Sequence, residues 1–382
     1  MRLSSKSIDE KLYTPVNRYF STNTNRGIIQ YGSDNLYPQA FEKLILSSQT
    51  AKACANMMTN FIAGDDFANP ELGNIVVGYD NNYNKITLNR LRYIIAQSLA
   101  MYNGVFIHCN KNAMNEVSDI KVLPFKNCRL QTPDDYGYSG AVAVSSDWAK
   151  IWKKDKVKWY ANFSLNDKVT ENEIINAGGI QNWNGQIYHF FKDDYYSYPL
   201  SPFDSVEFEM NTEQLVQVYK NREVANGFNS KTVVYVPRAN SDEEYNDMAR
   251  DILDFTGPDG AKELIVECDF DANGELVKNG YHFEQLKSNI DPDMFNEQYQ
   301  KSITNNIRKA AQGMPAVLID YSNEALGQVS GEAIAQSYQY YNAMTKDYRD
   351  ALRDIMQTIF AKTIIKGLEG DIDFEILPKK FE

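Results

Sequence analysis

Residues 291–360 read "DPDMFNEQYQKSITNNIRKAAQGMPAVLIDYSNEALGQVSGEAIAQSYQYYNAMTKDYRDALRDIMQTIF". Asp291 and Pro292 supply an N-cap and a first-turn proline. Phe295, Tyr299, Ile303 and Ile307 then recur every four residues along one face. Gly313 and Pro315 close that helix. After a loop, Ala333, Tyr340, Met344, Tyr348, Leu352, Ile355, Met356, Ile359 and Phe360 keep helical spacing. At 1.5 Å per residue an unbroken helix over 331–366 would span about 54 Å, the length of a strut rather than of a helix inside a small enzyme's core.

The chain has 382 residues, room for two or three compact lobes. A net charge of −12 argues against a protein that holds nucleic acid by neutralising phosphates. The 25 tyrosines suit large interfaces where an amphipathic ring is half buried. Cys54, Cys109, Cys128 and Cys268 show no metal-type spacing, which points to a reducing compartment. The start "MRLSSKSIDEKLY" has no apolar core, so no signal peptide is expected. No run reaches the length of a membrane span, so no membrane role is expected.

Outward from the quoted stretch, residues 1–30 read as a polar, irregular lead-in. A short helix is expected after Pro38, a break near Ser47–Gln49, a second helix from Thr50 to a stop at Gly64, and a longer one at 87–102 ended by Gly104. Strands are expected at Val105–Cys109, Ile120–Leu123, Gly140–Val144, Val157–Tyr160 and Ile187–Phe190, making a mixed α+β lobe. A helix near 205–226 leads into a small module at 230–290. That module starts with strand Thr232–Val236 and a charged helix at 241–255. Strand Glu263–Phe270 then meets Glu275–Lys278 across Ala272-Asn273-Gly274, with Tyr281–Gln285 extending the pairing. Helices 205–226 and 291–312 bracket the module like a two-helix stalk. Between Ser241 and Glu275 twelve acidic residues face only Arg250 and Lys262, a balance of −10. Asp242, Glu243, Glu244, Asp247, Asp251 and Asp254 lie on this helix, either as a solvated face or as an acidic rim that meets a basic partner or faces passing DNA.

Catalytic patterns are nearly missing: there is no GxxxxGK[ST] loop, no GxGxxG after a strand, no HExxH and no GxSxG. His108, His189 and His282 each sit in a strand-like run, where a half-buried structural role is ordinary. Asp269-Phe270-Asp271-Ala272-Asn273-Gly274 matches the opening of a calcium loop. The bidentate position is Gly280, however, and Asn273-Gly274 is better explained as a hairpin turn. No metal or cofactor is expected. Trp148, Lys150, Trp152, Lys153, Lys154, Lys156, Lys158 and Trp159 either stack bases or alternate in a strand with tryptophans inward.

This order of elements resembles the portal proteins of tailed bacteriophages, from about residue 31 to 366. "YGSDNLYPQAFEKLILSSQTAKACANMMTNFIAGDDF" (31–67) is similar to the opening of the family's wing domain. "YPLSPFDSVEFEMNTEQLVQVYKNREVANGFNSKTVVYVP" (198–237) resembles a first stem helix entering the clip. "HFEQLKSNIDPDMFNEQYQKSITNNIRKAAQGMPAVLIDYSNE" (282–324) resembles the clip exit, the second stem helix and the start of the tunnel loop. The SGEA-containing helix at 330 onward matches the long helix after that loop.

The resemblance implies an α+β portal-type subunit. It divides the chain into wing (1–204), first stem helix (205–229), clip (230–290), second stem helix (291–313), tunnel loop (314–330), long helix (331–366) and a C-terminal strand or tail returning to the wing (367–382). The crown would be reduced. Ile319, Asp320, Tyr321, Ser322, Asn323, Glu324, Ala325, Leu326, Gly327 and Gln328 would form the part of the loop that narrows a DNA channel; a plain helix–helix connection is the alternative. The clip's acidic residues would be where partners dock. The subunit would form a ring, usually of twelve, at one vertex of a virion assembled in the host cytoplasm. Its partners would be the terminase, the major capsid or scaffolding protein and a head–tail adaptor, with double-stranded DNA passing through without sequence-specific binding. Such a protein is not an enzyme. Two rivals are a non-portal head or adaptor protein, and a hydrolase assembled around His189 or His282 with acidic neighbours.

Overall fold

The computed structural model describes residues 3–5, 22–23, 27–80, 82–148, 157–193, 196–225, 232–237, 241–244, 246–247, 263–268, 282–285, 300–320 and 331–381. The chain divides into two compact units: one gathers 1–14 and 211–303, the other 15–210 and 304–382.

The lead-in is not irregular throughout. It holds strand β1 (Leu3–Ser5) and a short antiparallel pair, β2 (Thr22–Asn23) and β3 (Ile28–Ile29). Helices α1 (Tyr37–Ser47) and α2 (Gln49–Ala63) follow. Between them Ser48 turns extended, and its hydroxyl accepts from the Ala51 amide at 3.0 Å, an N-cap that restarts the helix. Gly64 ends α2 at φ +69°. The antiparallel pair β4 (Val76–Tyr79) and β5 (Lys85–Thr87) leads into α3 (Leu88–Tyr102). The left-handed residue that stops α3 is Asn103, φ 56°, not Gly104. Gly104 serves packing instead, since a Cβ there would lie 3.0 Å from both the Phe125 and Phe191 rings.

The main sheet of the larger unit comprises β6 (Gly104–Lys111), β7 (Val117–Leu123), β8 (Cys128–Leu130), β9 (Ala141–Val144), β10 (Lys158–Asn162) and β11 (Gln186–Phe191), in the order β7-β6-β11-β10-β9-β8. Every pair is antiparallel except β10–β11. A parallel pair needs a crossover, and α4 (Asp167–Asn176) lies in it. Sequence periodicity misses α4 because the helix buries a single residue, Thr170. The buried face of α3 (Leu91, Ile95, Leu99) packs toward β6 and β7, and α2 packs on α3.

Helix α5 (Glu207–Ala225) crosses the division between the units at 210/211. In the smaller unit β12 (Thr232–Pro237), β13 (Glu263–Cys268) and β14 (His282–Gln285) form a four-stranded sheet with β1, in the order β1-β13-β12-β14. β12 and β13 are parallel, and the helical residues 242–244 and 246–247 fall in the connection between them. The 282–285 strand borders β12, not the 263–270 strand, because β13 already has β12 on one side and β1 on the other. The expected strand 275–278 and the turn 272–274 lie outside the described residues.

Helix α6 (Gln300–Ala310) crosses back at 303/304. Beyond it the expected single long helix is two, α7 (Gly331–Met344) and α8 (Lys346–Phe360). They part at Thr345, whose backbone is non-helical (φ −98°, ψ 4°). Its hydroxyl donates back to the Tyr341 carbonyl at 2.8 Å, the side-chain competition that bends helices. Nor is α8 a strut: Tyr348, Leu352, Ile355, Met356, Ile359 and Phe360 are all buried, and the helix packs on α2 and α3. The chain then edges β7 (Val117 amide to Lys362 carbonyl, 2.8 Å). It ends against 65–68, where the Asp65 amide donates to Leu377 at 3.0 Å and the Ala68 amide to Glu375 at 2.8 Å.

Candidate functional site

The segment expected to face a channel begins from an anchored base. Gln312 (φ 59°) and Gly313 (φ 66°) are both left-handed. The amides of Gly313 and Met314 return to the carbonyls of Lys309 and Arg308, at 3.0 and 2.9 Å, and so satisfy the end of α6. A further orphan carbonyl, that of Ala311, accepts from the Tyr341 hydroxyl of α7 at 2.9 Å. Tyr341 is fully buried, with its ring edge-on to Phe61 at 4.9 Å. Arg308 and Lys309 place positive charge at the negative end of α6.

After a 3₁₀ turn at Ala316–Leu318, in which Leu318 is buried, Ile319 is half-buried and Asp320 exposed. Tyr321, Ser322, Asn323, Glu324, Ala325, Leu326, Gly327 and Gln328 lie outside the described residues. The part of the expected loop that is described is therefore its root.

α5 and α6 meet inside the larger unit, where Asn306 donates to Glu209 at 3.3 Å. Farther along α5, Leu215, Val218 and Tyr219 sit three and four residues apart on one face and are 57%, 39% and 55% exposed. In the smaller unit Asp242, Glu243, Glu244 and Asp247 are all exposed, and Ser241 caps this turn by accepting from the Glu244 amide at 3.2 Å. Asp251 and Asp254 lie outside the described residues.

The tryptophan–lysine cluster divides. Trp148 is buried, donates to the Asn127 carbonyl at 3.1 Å and lies 5.2 Å from the fully buried Arg129 guanidinium. Trp159 is more than a third exposed, against the expectation of inward tryptophans. Lys158 is exposed, and 150–156 lie outside the described residues.

Neither described histidine environment resembles a catalytic pair. His189 packs between Phe106 and Phe191, and burial alone pushes its pKa below the usual imidazole range. His108 shares a 2.6 Å hydrogen bond with the Asn184 carbonyl, and its pKa too is lowered, chiefly by burial. His282 is in β14, opposite Tyr235. A cleft of about 280 Å³ is lined by Glu42, Ile94, Met101, Leu123 and Lys126 among others, and no histidine lines it. Among the described residues no group of three His, Cys, Asp or Glu side chains is placed to hold a metal ion. Among them, too, no helix is long and apolar enough to cross a membrane.

Sequence reasoning missed a buried cation. Lys111, at the end of β6, donates to Asn115 (2.8 Å), the Ser164 carbonyl (2.6 Å) and Gln186 (2.8 Å), and lies 3.9 Å from the centre of the Phe163 ring. Burial pushes its pKa down to about 8. Asn115 and Gln186 continue the network to Asp167, Thr170 and Glu173, which fastens α4 to the sheet.

No family model matches the chain, and no curated protein matches it in sequence. Among solved structures it is similar to the neck of an empty gene transfer agent particle, at 10% identity and a TM-score of 0.42, over 84% of this chain and 89% of that one. It is also similar to an HK97-family phage portal protein from Corynebacterium diphtheriae, at 10% identity and a TM-score of 0.42, over 87% of this chain and 95% of that one. A third similarity is to the neck of a native gene transfer agent particle computed with C12 symmetry, at 10% identity and a TM-score of 0.38, over 90% and 95%.

Proposed function

We propose that the chain is a portal subunit: copies close into a ring, of twelve by the family resemblance, whose central hole passes double-stranded DNA at one vertex of a phage capsid. The larger unit would be the wing and the smaller one the clip, with α5 and α6 as the stem and residues 319–328 as the tunnel loop. The observation that carries this assignment is the route of the chain. It leaves one unit inside α5, builds a separate sheet, re-enters inside α6 and at once reaches a loop with a fastened root.

Charge supports a conduit rather than a grip. Each phosphate-neutralising contact adds affinity and hence drag, whereas a chain of net charge −12 with exposed Asp242, Glu243, Glu244 and Asp247 offers little to hold a duplex. The exposed row Leu215, Val218 and Tyr219 on α5 suits contact with a neighbouring copy. Subunits of a closed ring meet through two different surfaces, head to tail. The acidic clip would receive the terminase during packaging and the head–tail adaptor afterwards. Energy transduction would belong to the terminase, since the sequence carries no nucleotide-binding loop.

Negative-stain imaging of the purified protein tests the assignment. Rings with a stain-filled hole wide enough for duplex DNA are expected. Compact monomers with no tendency to associate, or ATP hydrolysis by the protein alone, would contradict it.

A further inference from the structure

Resting on the ring assignment, we propose that β1 is exchanged between neighbouring copies: residues 3–5 of one chain complete the clip sheet of the next. The acceptor is a sheet edge. β13 reads Glu263-Leu264-Ile265-Val266-Glu267-Cys268 and has β12 on one side; among the described residues its other side is covered by β1. An apolar strand with a bare edge is a template for pairing with another chain. Recognition there runs through the main chain, in the antiparallel register Leu3 opposite Val266, Ser4 opposite Ile265 and Ser5 opposite Leu264. A three-residue donor of modest sequence, Leu-Ser-Ser, is enough for such pairing.

The donor's attachment makes exchange possible. Residues 1–14 group with the clip unit, yet from residue 15 the chain belongs to the other unit. Residues 6–21 separate β1 from β2. Those sixteen residues can extend to about 55 Å, against a usual connection of about 4–6 residues. A lone chain has only its own β13 to offer. In a ring every neighbour presents the same edge at a comparable effective concentration, and swapping an identical strand costs little because the same backbone bonds form. The gain is a strand-by-strand stitch around the clip.

Two chains test this, both with Cys268→Ser to remove the cysteine of β13. One carries Ser4→Cys and an affinity tag, the other Ile265→Cys and no tag. The two are co-assembled, treated with a short bis-maleimide and run on a denaturing gel, with each chain alone as control. Size-exclusion chromatography first establishes whether rings form. Rings that yield the tagged–untagged covalent dimer, absent from both controls, are the expected result. A single chain carrying both cysteines should then give a ladder of covalent oligomers. Rings whose double-cysteine chain links only within itself, or not at all, overturn the exchange and leave the ring assignment standing. Protein that never leaves the monomer fraction removes both.

Discussion

The Arg349 guanidinium of α8 donates to the Phe61 carbonyl, 3.0 Å away, and so reaches across to the last turn of α2. The same group donates to the Thr345 hydroxyl at 2.9 Å and to the Asn342 carbonyl at 2.5 Å, fastening both sides of the bend between α7 and α8. Asn342 in turn pairs with Lys379 in both directions, its amide donating to the Lys379 carbonyl and its side-chain oxygen accepting the Lys379 amide. One buried cation thus organises a helix end, a helix bend and the C-terminal segment.

Replacing Arg349 with Met keeps bulk but strands those carbonyls. Each buried polar group left without a partner costs about 1–3 kcal/mol, so a loss of about 2–4 kcal/mol is expected, read as a lower urea midpoint. Arg349→Lys should recover only part of it, because an ammonium cannot span the guanidinium's fork of donors.

Gly64 is where the C-terminal segment touches the end of α2. A Cβ there would fall 2.3 Å from the Leu377 carbonyl oxygen and 2.6 Å from Ile376 Cγ2, at a φ of +69° that alanine tolerates poorly. Gly64→Ala should cost about 2–4 kcal/mol. It should also release residues 374–381 to limited proteolysis faster than in the parent. Equal cleavage rates would show that the segment docks by some other contact.

Lys111 gives the fold a pH dependence of definite sign. Its folded pKa, about 8, lies below the ordinary 10.5. Between those values the unfolded chain binds more protons than the folded one, so this group makes stability rise with pH across the window. At 1.4 kcal/mol per unit the full effect is about 3 kcal/mol. Other groups also titrate there, so the measurement is a difference: the urea midpoint of the parent should gain on that of Lys111→Met between pH 8 and 10. Parallel curves would mean that Lys111 keeps an ordinary pKa.

Tyr341→Phe removes only the hydroxyl that caps Ala311. A cost of about 1–2 kcal/mol is expected, together with faster amide hydrogen exchange at Gly313 and Met314, the root of the loop. A stability loss without that local change would place the effect in the Phe61 contact instead.

Much of this was legible in the residues. Ser48 between two helical runs, the glycine at 64 and the alternation at 105–109 each act within one or two turns of chain, which is the range that sequence patterns encode. What depends on partners far apart was not legible. The periodicity of 331–366 is continuous, and only the Thr345 hydroxyl and the reach of Arg349 to Phe61 break it. Likewise β14 chooses β12 because β1, more than two hundred residues away, has taken the far edge of β13. Nothing in the sequence singles out Lys111 at the end of its strand; the network that buries it runs to α4, which has almost no apolar face to announce it.

The most direct test is a cryo-electron microscopy reconstruction of the purified full-length protein. The account predicts a closed ring with α5 and α6 of every copy standing around the axis and residues 319–328 projecting into the opening. A ring that carries those two helices on its outer rim, or a particle with no opening at all, would contradict it.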